Sequence, residues 1–183
     1  MSTIDPVTME YWIHEVFRLN EQYYELIEAG AEQQLGPPAP EAGIEHLETL
    51  LRRKLPPSYR LFLSLHNGWR DWEGDKDLLS IEDREVASHV EHIERMRKVA
   101  WEEGWPLLLD GIIIGACLTS NALLILDTTK TDERGEMEIV NWELKEIGRY
   151  ADFVDMLQST AVDLQQIIED EKSGRANEPM EEG

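Results

Sequence analysis

His89 and His92 are three residues apart, with Glu85 one helical turn before them, a spacing that could close on one metal ion. Such a face needs further ligands from elsewhere in the chain. No cysteine stands near it and no separate ligand pair is evident, so the expectation is solvent-facing helix histidines and no metal. Cys117 is the single cysteine and lies inside the apolar run Ile112–Leu118, which excludes an intramolecular disulfide. It reads as a buried small hydrophobe rather than a reactive thiol. Nucleophile elbows of the Gly-x-Ser-x-Gly kind, phosphate-cradling glycine loops and His-Glu-x-x-His pairs are missing. Carboxylates are plentiful, but nothing singles out an acid/base pair. The expectation is therefore no enzyme, no catalytic residue and no cofactor.

The residues that suit binding are concentrated after position 68. Trp69 and Trp72 offer large, rigid contact area of the kind enriched at interface hot spots. Asp71, Glu73, Asp75 and Asp77 surround them and would pair with lysine or arginine on a partner. The competing reading has one tryptophan capping the core and the acids merely solvated. A second acidic group, Asp132, Glu133, Glu136 and Glu138, reads as a solvated turn. The whole chain carries 38 acidic against 17 basic residues, a formal net charge of -21. That balance disfavours nucleic acid and anionic membrane, and favours a basic partner that long-range attraction would steer. It also serves plain solubility.

These residues must be positioned by elements that the spacing predicts. Asp5 and Pro6 begin a first helix as cap and first-turn residue, with Met9, Trp12, Val16, Leu19, Tyr23, Leu26 and Ile27 as its apolar face and Gly30 as its end. A linker rich in proline and glycine, Gln34–Gly43, is the best boundary in the chain. Ile44, Leu47, Leu50, Leu51 and Leu55 mark a second helix, with Arg52, Arg53 and Lys54 near its end. Pro57 to His66 is a short helix closed by Asn67-Gly68. The pair resembles a helix-turn-helix, but the acidity argues against nucleic acid. Positions 69–85 read as an acidic loop with a short strand at Leu78, Leu79 and Ile81. A helix from about Asp83 to Glu103 would bury Val86, Val90, Ile93, Val99 and Ala100. Leu107–Leu109, Ile112–Cys117, Leu123–Leu126 and Met137–Trp142 read as strands, at least the first three as a meander. A last helix runs from about Tyr150 to Glu169, and the tail from Ser173 to Gly183 reads as disordered and acidic. Helices before and after a cluster of strands make an α+β domain, its sheet antiparallel or mixed. No signal peptide or bilayer-spanning run is visible, so a cytoplasmic location is expected.

Leu55-Pro56-Pro57-Ser58-Tyr59, then Phe62, Leu63 and Asn67-Gly68, resembles the signature of the SUKH superfamily, which includes bacterial immunity proteins and fungal cell-wall regulators. Ile114-Gly115, Leu124-Ile125-Leu126-Asp127, Gly135, Ile139-Val140 and Phe153 are similar to the later strands and closing helix of that family. The resemblance covers roughly residues 41–170 and implies a SUKH-like domain at 39–172, with residues 1–38 as an added helix and linker. It further implies an immunity protein that binds and neutralises a cognate toxin by stoichiometric inhibition. A basic nuclease is the toxin that the charge suits. The alternative it implies is a regulatory or scaffold interaction module with no toxin target.

Overall fold

Asp5 caps the first helix as its type dictates: its carboxylate accepts the Thr8 backbone N–H at 3.0 Å and the Thr8 hydroxyl at 2.6 Å. The computed structural model describes residues 4–174, so the tail from 175 on lies outside the described residues. Helix α1 spans Pro6–Leu26 and buries Met9, Ile13, Val16, Leu19 and Tyr24. This stripe is rotated from the expected one; Leu26 and Ile27 are 38% and 42% exposed. The stripe packs on α6, Phe153–Ser173, whose cap Asp152 accepts the Val154 and Asp155 backbone N–H groups, each at 3.0 Å.

Seven strands form one sheet in chain order: β1 Gln34–Leu35, β2 Trp69–Glu73, β3 Lys76–Leu78, β4 Ile112–Cys117, β5 Ala122–Leu126, β6 Ile139–Glu143 and β7 Glu146–Tyr150. Every neighbouring pair is antiparallel. With helices on both faces, β4 and β5 are buried at every position, which is why they read as unbroken aliphatic runs. Ile112, Ile114, Leu124, Leu126 and Ile139 face a core shared with α1, α2 (Glu41–Leu51), α3 (Pro57–Leu65) and α6. Ile113, Ala116, Leu123, Ile125 and Trp142 face a second core under α4 (Ala87–Glu103) and α5 (Pro106–Asp110). Gly115 is the close crossing in β4, because a Cβ there would stand 3.1 Å from both the Asp77 carbonyl and the Leu124 side chain.

Several elements differ from expectation. Leu107–Leu109 is helical, because Pro106 presets a first helical turn that Gly111 ends before β4 begins. Strand β7 occupies a segment in which the spacing predicts no element, and the last helix starts at Phe153 rather than at about Tyr150. The segment Gln34–Gly43 carries β1, and its backbone is tied to the α3 region: Gly36 N–H donates to Gly68 at 2.9 Å and Ala39 N–H to Leu63 at 2.9 Å.

Candidate functional site

The signature helix α3 is held at both ends by side chains distant in sequence. At its N-terminus the Glu136 carboxylate accepts the Ser58 backbone N–H at 2.9 Å and the Ser58 hydroxyl at 2.7 Å. Ser58 Oγ in turn accepts the Phe153 N–H at 3.1 Å, so one hydroxyl links α3, the turn before β6 and the start of α6. Glu136, expected in a solvated turn, is 3% exposed, and burial pushes its carboxyl up in spite of the Ser58 bonds. Its neighbours are also tied down: Asp132 pairs with Arg134 at 2.8 Å and Glu138 with Arg149 at 2.8 Å. At the other end Asn67 accepts the Ile81 N–H at 2.9 Å and donates to Glu82 at 2.7 Å. Gly68 has φ 89° and a Cβ there would lie 2.8 Å from the Ser80 nitrogen. The helix stops at His66, whose backbone is extended, and Asn67-Gly68 then clamps the segment after β3 against it.

The acidic stretch that follows is a β2–β3 hairpin rather than a loop. Its tryptophans are core residues, 1% and 2% exposed, and so present no free contact area. Trp69 stacks on Phe17 at 6.0 Å and donates from Nε1 to Gln33 at 3.2 Å. Trp69 and Trp72 lie three apart and would point to opposite faces of a regular strand. Asp71 between them takes the left-handed conformation, φ 50°, and the pairing register shifts there, which turns both rings inward. From α1, Asn20 donates to the Trp72 carbonyl, and the Tyr24 hydroxyl donates to the Asp71 carbonyl at 2.9 Å and accepts Gly74 N–H at 2.7 Å. Burial, with Asp71 and Glu73 nearby, pushes the Tyr24 phenol up to about 12.

The four acids divide by position. Asp77 pairs with Arg70 at 2.7 Å and accepts the Asp71 N–H at 2.9 Å, so it braces the hairpin. Glu73 pairs with the buried Lys76 at 2.8 Å while staying half exposed. Asp75 is exposed at the tip and bonded to the Thr119 hydroxyl, which holds its carboxyl below the usual range. Asp71 is partly covered. Glu73 and Asp75 are thus the outward-facing acids of this group, on a turn anchored from α1.

Helix α4 overturns the expected exposure of its histidines. His89 and His92 are 6% and 5% exposed, and with Met96 and Ala100 they form the buried stripe; Val86 is 44% exposed instead. His92 Nδ1 meets Arg95 at 2.8 Å, and burial, then Arg95 and His89, lowers its pKa. No group of three or more metal-ligating side chains gathers among the described residues. No residue spacing distinguished these histidines from solvated ones; aliphatic periodicity alone is blind to a polar buried face.

An all-antiparallel sheet with helices on both faces and a proline-started α3 clamped by Glu136 and Asn67 define an α+β domain. Residues 38–159 match the SMI1/KNR4 family (SUKH-1), and the chain belongs to that family. Its members are commonly toxin immunity proteins. The matched span opens in the proline-rich segment before α2 and closes inside α6, leaving α1 outside it. No curated protein matches the chain. Among the described residues no helix is long and apolar enough to cross a membrane.

Proposed function

We propose that this chain is a cytoplasmic bacterial immunity protein that neutralises a cognate toxin domain by stoichiometric binding, the toxin being a basic protein such as a nuclease. The observation that carries the reading is family membership joined to a net charge of -21. A nuclease must hold a polyanion, so its active face is cationic, and an acidic protein seated on that face blocks substrate without any chemistry of its own. The hairpin tip is the proposed contact. Glu73 and Asp75 meet the partner directly, Asp71 and Asp77 add to the local field, and buried Trp69 and Trp72 keep the tip rigid. Rigidity matters because a preorganised contact loses less side-chain freedom on binding.

The test is affinity capture from source cells with the full chain, repeated at high salt, with the captured protein assayed for nuclease activity. One dominant basic partner in equal amount, inhibited on binding and released by salt, is the expected result. Several weak partners with no inhibited activity would overturn the toxin reading and leave a regulatory or scaffold module.

A further inference from the structure

Beside the β2–β3 hairpin, between the β7 edge of the sheet and α6, lies a slot of about 240 Å³. That is below the ~300–1,000 Å³ of small-molecule pockets and leaves room for a single long side chain. An irregularity in β7 shapes it. Asn141 pairs with Gly148 and Trp142 with Glu146, so Ile147 is the extra residue of a β-bulge. Ile147 lines the slot, and Gly148 yields its own space to Tyr150: a Cβ there would stand 3.1 Å from the Tyr150 hydroxyl.

The lining offers two kinds of surface. Leu124 and Leu164 are its buried aliphatic part, while Ile147 on β7 and Ile167 on α6 are 47% and 42% exposed. Glu73 from β2 and Asp163 from α6 add carboxylates, both exposed. Burial and then Glu73 push the Tyr150 phenol up, and Asp163 and Asp155 add to the push, so three carboxylates stand near this one ring. Lys76 takes up part of that charge by pairing with Glu73 at 2.8 Å. No cation pairs with Asp163 among the described residues, and no lysine, arginine or histidine is among the lining side chains.

We propose that this slot receives one long basic side chain, an arginine or lysine of the partner, with its stem between Ile147 and Ile167 and its cation at Asp163 and Glu73. Such a side chain is an aliphatic stem ending in a charge, which matches exposed apolar surface beside carboxylates. A purely apolar side chain would leave Asp163 without a counter-charge, and an acidic one would be repelled. The proposal rests on the partner reading above and deepens it. Attraction by the whole acidic surface speeds encounter, whereas a slot for one stem and one cation fixes the register of the bound partner.

The slot is tested without the partner by titrating the full chain with N-acetyl-arginine methylamide and following backbone amide shifts by NMR at fixed ionic strength. The uncharged isostere N-acetyl-citrulline methylamide serves as control. Shifts should centre on Ile147, Tyr150, Thr160 and Ile167, and the arginine compound should bind at least about fivefold more tightly, the worth of one partly covered ion pair. Asp163→Asn should remove that preference, whereas Glu169→Gln, an exposed acid of α6 outside the slot, should keep it. Thr160→Trp, which fills the slot and retains both acids, should abolish binding of both compounds. Shifts scattered over the acidic surface, equal affinity for the two compounds, or an unchanged preference in Asp163→Asn would overturn the slot. In the affinity capture, a basic partner held equally well by the parent and by Thr160→Trp would overturn the slot alone and leave the immunity reading standing. Capture of no basic partner would overturn the immunity reading and, with it, the occupant proposed here.

Discussion

The segment Leu55–Gly68 and the segment Glu82–Met96 flank the same hairpin in the chain and treat their polar groups in opposite ways. In the first, Ser58 and Asn67 are matched to partners on Glu136, Phe153, Ile81 and Glu82. In the second, Arg84, His89 and His92 hold most of the buried side-chain nitrogens that lack a partner among the described residues. The exception in the first segment, the Tyr59 hydroxyl, faces Arg84 of the second. Satisfied polar links between distant segments fix one arrangement of the chain, whereas unsatisfied ones cost stability and need another reason to persist. The first segment thus holds the fold in place, and the second carries buried polar groups whose partnering is incomplete.

The contrast can be broken most forcefully at Phe62, which is fully buried and stacked on Phe153 at 4.5 Å. Phe62→Ala should cost about 3–5 kcal/mol in denaturant titration, and a loss under about 1 kcal/mol would remove α3 from the centre of the core. Glu136→Ala orphans the Ser58 N–H and should cost about 1–3 kcal/mol by the same measurement. His92→Leu should instead be neutral or stabilising by roughly 1 kcal/mol, since it exchanges a poorly partnered buried polar ring for an apolar one. A destabilisation as large as that of Glu136→Ala would equate the two segments.

His92 also sets a pH dependence. Its folded pKa lies below the ordinary 6.5, so the unfolded chain binds the proton more readily. Its contribution to stability is therefore complete above pH 6.5 and is lost as pH falls through the lower, folded value. Stability measured across that acid range should drop in the parent protein, and His92→Leu should flatten that part of the profile. The smallest effect on folding belongs to the hairpin tip. Asp75→Asn, at the exposed tip, should shift stability by less than about 0.5 kcal/mol, yet slow association with the captured partner and reduce its salt dependence. An unchanged on-rate would move the contact elsewhere on the surface.

Parts of this architecture are written in local chemistry. Asp5-Pro6 and Pro57 punctuate helices by conformation, and β4 and β5 announce themselves as aliphatic runs because both faces are covered. What escapes such reading depends on the chain at a distance. Strand β7, Glu146–Tyr150, lies at the sheet edge with no buried position, so it lacks an alternating pattern. The inward turn of both Trp69 and Trp72 rests on one left-handed aspartate, a conformation that Asp71 does not advertise. Burial of Glu136 depends on a serine 78 positions earlier. The candidate site follows suit: the acids of the tip are plain in the sequence, while the split between bracing Asp77 and outward Asp75 is a property of the fold.

The order of the strands has a consequence for how the chain assembles. The pairs β2–β3, β4–β5 and β6–β7 close through short turns and can form as synthesis proceeds, whereas β1–β2 and β3–β4 pair across intervening helices. Helix α1 reaches further still: it emerges first, but the surface that covers Met9, Ile13 and Val16 includes α6, which is made last. During translation that stripe must wait, open to the wrong contacts, until α6 arrives. Closure of the first helix on the last is then the step on which successful folding turns.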